Sequence, residues 1–151
     1  MLAAILFDLD GTLVNTDPIH YKAWQEILRN YSLEIDEAFY KRRISGRLNP
    51  AIVQDILPRM SLEEGQQLAD EKEARFRELA PKLSSLAGLS DILAFSDEVG
   101  LKRAVVTNAP RPNVHFLLSI LGLTDAFTTV VLAEDAAAGK PDPAPYQLAL
   151  S

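Results

Sequence analysis

Ala3-Ala4-Ile5-Leu6-Phe7-Asp8-Leu9-Asp10-Gly11-Thr12 is an apolar run closed by two acids and a glycine. A short run of apolar residues without alternation is what a strand covered on both faces requires, as in a parallel sheet. Residues i and i+2 of a strand share a face, so Asp8 and Asp10 project together from its end. Two carboxylates held that close repel unless a cation or a proton lies between them. The simplest chemistry for the pair is a magnesium-assisted nucleophile and its acid/base partner. Gly11 permits the tight turn that follows. The bland alternative is a solvated turn with incidental acids.

Downstream of the turn the pattern becomes helical. Asp17 is placed to cap a helix whose first position suits Pro18, and Ile19, Ala23, Trp24, Ile27 and Leu28 form its apolar stripe. A second helix is predicted over 36–44, ending near Gly46. A third opens on Asn49-Pro50, again cap then proline, and runs to Leu57. The fourth begins with Ser61-x-x-Glu64, a capping box, continues through Leu68, Ala69, Lys72, Phe76 and Leu79, and stops at Pro81. Residues 15–82 therefore read as a small all-helical unit. After it, helix and strand alternate: helix over 90–99, strand over 102–107, helix over 111–121, strand over 128–132, and a further helix from Pro143 to Leu150. Alternation of this kind predicts an α/β parallel sheet, built from 1–14 and 83–151 with the helical unit inserted between them.

Composition narrows the function classes. The chain has 151 residues, 48% of them apolar and 24% charged, ordinary values for a globular protein. A net charge of −6 supplies no basic surface, which argues against nucleic acid and anionic membrane as partners. There are no cysteines, so disulfides, thiolate nucleophiles and cysteine-bound zinc are excluded; this fits a cytoplasmic protein. No apolar run approaches the ~20 residues of a membrane helix. The apolar start lacks a basic leader and reads as a strand rather than a signal peptide. An anionic small substrate would need local cations.

Two further constellations follow the predicted strands, where open α/β sheets place their sites. Thr107-Asn108 closes the strand containing Val105 and Val106; a hydroxyl with exposed backbone N–H groups binds phosphate oxygens, while helix capping is the alternative. Gly139-Lys140-Pro141-Asp142-Pro143 forms an irregular loop in which Lys140 offers a compact charge able to neutralise an aspartate and a phosphate; an exposed turn lysine is the alternative.

With these three groups in this order, the chain resembles the haloacid dehalogenase-like (HAD) hydrolase superfamily, in particular its capped sugar-phosphate phosphatases and β-phosphoglucomutases. The first motif matches Asp8-Leu9-Asp10-Gly11-Thr12, the second Thr107-Asn108, the third Lys140 in Gly-Lys-Pro-Asp-Pro. The resemblance implies a Rossmann-like core with a mobile helical cap. It implies that Asp8 attacks phosphorus to form an aspartyl-phosphate, that Asp10 acts as general acid and then base, and that Thr107, Asn108 and Lys140 hold the phosphoryl group. Mg²⁺ would bind the Asp8 carboxylate and the Asp10 backbone carbonyl. The presence of Asp10 points to phosphate chemistry rather than dehalogenation, on a small phosphorylated metabolite. His20 matches a histidine that in mutase-like members couples cap closure to proton transfer; a surface helix residue is the alternative. Gly46-Arg47 resembles the cap's specificity loop, where an arginine suits a distal phosphate or sugar hydroxyls; a plain surface charge is the alternative. His115 reads as structural or exposed, and Trp24 as cap core.

One departure bears on activity. The family's fourth motif, acids that complete the magnesium site, falls beyond Ser151, and so does the strand that pairs with the first one. The core is thus expected to be incomplete at its C-terminus, as a fragment of a longer protein or a short chain completed by a partner. Weak Mg²⁺ binding and slow turnover are expected of the 151 residues. A β-phosphoglucomutase-like phosphotransferase and a catalytically silent binding module are the rival readings. The particular substrate and the oligomeric state are not legible in the sequence.

Overall fold

In the computed structural model, which describes all 151 residues, the chain runs β1 (Ala4–Phe7), α1 (Asp17–Arg29), α2 (Glu37–Arg43), α3 (Asn49–Ile56), α4 (Leu62–Leu79), α5 (Leu89–Glu98), β2 (Lys102–Thr107), α6 (Arg111–Ile120), β3 (Thr129–Leu132), a 3₁₀ turn (Ala133–Asp135) and α7 (Ala144–Leu150). It divides into two compact units, Met1–Thr16 with Lys82–Ser151, and Asp17–Pro81. No helix is long and apolar enough to cross a membrane.

The first unit is the predicted α/β parallel sheet. Its three strands pair in the order β1-β2-β3, all parallel. Val105 and Val106, at the centre of the middle strand, are fully buried, as strands covered on both faces must be. The register sets Phe7 opposite Val105 and Thr107 opposite Leu132. All three strands therefore end at nearly one level, and the residues that follow them share one edge of the sheet. Phe7 packs edge-on against Phe127, with ring centroids 5.7 Å apart, and α7 lies against β2 and β3. The segment after the helical insertion meets the β1 turn at Val14, which forms an isolated antiparallel bridge to Ser85, while Leu86 N–H donates to the Leu13 carbonyl.

The second unit is four helices around Trp24, Leu28, Ile52 and Leu68, with α4 packed on α1 and α3. Ser61 and Glu64 form the reciprocal capping box that the sequence predicts. Two other predicted caps are used differently. Helix α1 starts at Asp17 itself, and the Asp17 carboxylate accepts from the Tyr40 and Ser45 hydroxyls. Helix α3 starts at Asn49, with Leu48 as an N-cap that makes no side-chain bond; the Asn49 amide instead donates to Glu73, 2.7 Å away. Proline at the first turn fixes both helix starts, so each polar side chain is available for a tertiary bond. The buried face of α4 carries two charged residues, Lys72 and Glu73, between Ala69 and Phe76.

Candidate active site

The site is built at the carboxyl ends of the strands of the first unit. Leu9 is fully buried, so the chain still alternates as it leaves β1, and Asp8 and Asp10 flank a side chain that points into the core. Gly11 then adopts φ +76°, a left-handed value open to glycine at no steric cost. The turn closes through Gly11 N–H to the Val14 carbonyl, 2.8 Å, and Leu13 N–H to the Leu9 carbonyl, 2.9 Å.

Asp8 Oδ1 accepts from the following Leu9 N–H, 2.8 Å, and from the Lys140 ammonium, 2.8 Å. The same Nζ donates to the carbonyl of Val106, 2.9 Å. That double bond to strand ends follows from the register: Asp8 comes one residue after Phe7, level with Val106, and Lys140 spans the two. The Lys140 side chain is largely buried and that of Asp8 is 42% exposed, so the cation approaches from the protein while the carboxylate faces outward. Asp10 Oδ1 accepts from the Thr16 hydroxyl, 2.5 Å.

Thr107 is buried, and its Oγ1 accepts from Ala109 N–H, 3.0 Å, which leaves its own hydrogen to be donated. Asn108 points both ends of its carboxamide at the main chain of Lys140: Lys140 N–H donates to Oδ1, 2.8 Å, and Nδ2 donates to the Lys140 carbonyl, 2.9 Å. The Lys140–Pro141 peptide that follows is cis. The loop approaches so closely that a Cβ on Gly139 would lie 3.0 Å from both Asn108 Oδ1 and the Ala133 methyl. A side-chain end normally yields to such a contact, but this one is held by two hydrogen bonds. Gly139→Ala is therefore expected to destabilise the chain by about 1–3 kcal/mol through overpacking, measurable as a lowered urea midpoint.

An ion-pair cluster at the start of α6 is only half visible in the sequence. Arg111, at the start of α6, pairs with Glu134 at 3.1 Å and with Asp135. Asp135 also accepts from Leu132 N–H, 2.9 Å. That backbone bond, with the Arg111 guanidinium, holds its carboxyl below the usual range against the opposing effect of burial. The acidic Glu134-Asp135 pair is visible in the sequence; its partner, 24 residues away, is not.

His20 and Arg47 lie in the second unit. His20 Nδ1 is 2.8 Å from Lys72 Nζ and its ring stacks on Phe76 with centroids 4.0 Å apart. An ammonium only donates, so Nδ1 is the acceptor and the ring hydrogen sits on Nε2. Arg47 donates to Asp55, 2.8 Å, and to the Arg43 carbonyl, 2.8 Å. Arg43 grips the same carboxylate with two bonds. The two guanidiniums together hold the exposed Asp55 carboxyl down at about 2.

No group of three or more acidic, histidine or cysteine side chains is placed to hold a metal ion. The resemblance assigns Mg²⁺ the Asp8 carboxylate and the Asp10 main-chain carbonyl. Both are hard oxygens, the ligand type of Mg²⁺, which takes one or two protein donors and fills its remaining positions with water and substrate phosphate. The donor set fits that ion.

A family model described as haloacid dehalogenase-like hydrolase matches residues 5–151. The chain is 29% identical over 154 residues to the phosphorylated carbohydrates phosphatase of Thermotoga maritima, covering 99% of this chain and 69% of that protein. It is 32% identical over 149 residues to the fructose-1-phosphate phosphatase YqaB of Escherichia coli, covering 97% and 77%. Among solved structures it superposes on the β-phosphoglucomutase of Clostridium difficile with a TM-score of 0.87 at 25% identity, covering 99% of this chain and 70% of that one.

Proposed function

The chain belongs to the haloacid dehalogenase-like hydrolases, and on that premise we propose that it hydrolyses small phosphate monoesters, sugar phosphates in particular, through an aspartyl-phosphate on Asp8. The observation that carries this reading is the Asp8–Lys140 contact, 2.8 Å across 132 residues of sequence. It supplies a carboxylate whose charge is screened where an anionic substrate must approach.

In the first half-reaction an Asp8 oxygen attacks phosphorus, the ester P–O bond breaks, and the departing oxygen takes a proton from the Asp10 carboxyl. In the second, the Asp10 carboxylate removes a proton from water, which attacks the same phosphorus and returns Asp8 and inorganic phosphate. Because the acid of one step is the base of the next, one side chain serves both. The Thr16 hydroxyl orients Asp10. Lys140 offsets the repulsion between Asp8 and the phosphoryl oxygens, and Thr107 donates its hydroxyl hydrogen to one of them. The Asp8 carboxylate and Asp10 carbonyl would hold Mg²⁺, which supplies further charge stabilisation at the transferring phosphoryl group. The sugar-phosphate preference rests on the phosphatases it resembles. We read the helical unit as a cap that selects among such substrates, with His20 and Arg47 as its candidate contacts.

The test is phosphate release from p-nitrophenyl phosphate by the 151-residue chain. Release is expected to fall at least tenfold when EDTA removes the metal and to return with Mg²⁺. Acid quenching is expected to leave a base-labile phosphate on the peptide containing Asp8. Release indifferent to EDTA, with no label on that peptide, overturns the reading. The likeness to a β-phosphoglucomutase favours a second reading, phosphoryl transfer between sugar hydroxyls; it predicts conversion of β-glucose 1-phosphate to the 6-phosphate, with a bisphosphate activator and without net phosphate release.

A further inference from the structure

We infer that Asn108 is a positioning residue that acts through Lys140, and not a direct ligand of the phosphoryl group. The inference rests on the roles proposed above for Asp8 and Lys140. Its basis is the double bond between one side chain and one residue's main chain: Lys140 N–H to Asn108 Oδ1 and Asn108 Nδ2 to the Lys140 carbonyl. A carboxamide carries a donor and an acceptor side by side, as the edge of a peptide unit does. Asn108 thus adds one sheet-like rung between the end of β2 and a loop that is otherwise irregular. The rung also fixes which way the amide faces. Reversed, it would set N–H against N–H and oxygen against oxygen.

Lys140 is then held at two places. Its main chain is gripped by Asn108, and its Nζ bonds Val106 O and Asp8 Oδ1. Two of these anchors, Val106 and Asn108, sit at the end of β2, and the third, Asp8, at the end of β1. The ammonium is thereby carried on a fixed stem between points of one sheet, rather than on a loop lysine with four free torsions. Asp8 meets a cation whose location is set before substrate arrives. A serine or threonine at 108 could not make both bonds, for lack of reach and of a second polar atom. Aspartate, isosteric with asparagine, would accept from Lys140 N–H but set a second oxygen against the Lys140 carbonyl. A Cβ on residue 139 would come within 3.0 Å of Asn108 Oδ1, so the rung forms with glycine at that position.

A double-mutant cycle separates action through Lys140 from direct phosphate binding. For p-nitrophenyl phosphate, Asn108→Ala is expected to lower kcat about 10–100-fold, the scale of a misplaced catalytic group, with KM changed less than threefold. In a Lys140→Ala background the same substitution is expected to cost less than twofold, since the residue it positions is gone. If the two single effects multiply, or if Asn108→Ala raises KM alone, Asn108 binds the phosphoryl group itself and the inference is overturned. Asn108→Asp guards against a folding artefact: it is expected to lower kcat by a similar factor while keeping the wild-type circular dichroism spectrum, and wild-type kcat in this variant overturns the inference.

A second readout needs no turnover. The rate at which acetic anhydride modifies Lys140, measured by peptide mass spectrometry against the exposed Lys41, is expected to rise at least fivefold in Asn108→Ala. An unchanged rate overturns the inference whatever the kinetics. Absence of phosphatase activity in the wild type would count against Asp8 as nucleophile, and the labelling rate would still decide the role of Asn108.

Discussion

Asp8→Asn is expected to leave the chain folded and to lower phosphate release by at least about 10³-fold, the scale seen when a nucleophile is removed from a preorganised site. The fold survives because the substitution is nearly isosteric. An asparagine Oδ1 still accepts from Leu9 N–H and from Lys140 Nζ, the two bonds that hold the wild-type carboxylate. What disappears is chemistry. A neutral amide does not attack phosphorus, and it offers Mg²⁺ a weaker oxygen than a carboxylate does. Lys140 keeps its bond to the Val106 carbonyl but loses its counter-charge, so a phosphate dianion becomes its best partner. The variant is therefore expected to bind inorganic phosphate at least as well as the wild type while turning over far less substrate. Titration calorimetry with phosphate, beside the turnover assay, checks both halves. Retention of more than a tenth of wild-type turnover would remove Asp8 from the nucleophile's role.

The parallel sheet was legible because its signals are local. Uninterrupted apolar runs at 3–7 and 104–106, each closed by polar residues, specify strands covered on both faces, and the structure places β1 and β2 there. The family was legible from three short motifs in order. What the sequence did not disclose is the use made of polar side chains whose partners lie far along the chain. Asp17 and Asn49 each stand before a proline at a helix start, the local pattern of a cap, yet tertiary partners took both. Asn108 follows Thr107 in a motif expected to bind phosphate, and only the folded chain shows its amide spent on a residue 32 positions away. Arg47 in a predicted specificity loop turns out to share Asp55 with Arg43. Capping rules describe bonds within about four residues. A side chain that can satisfy a buried partner leaves them, because an unmade buried hydrogen bond costs more than a frayed helix end.

The same logic produces the largest stability effect expected in the second unit. Lys72 and Glu73 are 2% and 7% exposed, consecutive residues on the inner face of α4 where periodicity calls for apolar ones. They tolerate burial because every charge there is answered. Glu73 Oε1 accepts from Lys72 Nζ, 2.9 Å, and from Asn49 Nδ2, 2.7 Å. Lys72 Nζ also reaches His20 Nδ1 and lies 5.3 Å from the centre of the Trp24 ring. Glu73→Leu would leave the ammonium buried without its counter-charge, which costs about 3–5 kcal/mol for a broken buried pair. The double substitution Lys72→Met with Glu73→Leu is expected to recover most of that loss, since replacing a whole buried pair with apolar groups is often neutral. Trp24, the only tryptophan of the chain, is buried in this unit and reports its unfolding in urea by fluorescence. The wild type should also show the pair in its pH dependence. Burial pushes the Glu73 carboxyl up, but the Lys72 ammonium, the neighbouring His20, and the bonds from Asn49 and Lys72 pull it further down, to a net value below the ordinary 4.5. Between that lowered value and 4.5 the unfolded chain binds more protons than the folded one, so stability rises with pH across this window. The contribution is fully present above 4.5 and is lost as pH falls through the folded value. In Glu73→Leu that part of the acid slope is expected to vanish. A variant with the wild-type urea midpoint and the wild-type acid slope would mean that Lys72 is stabilised by His20 and the aromatic rings alone.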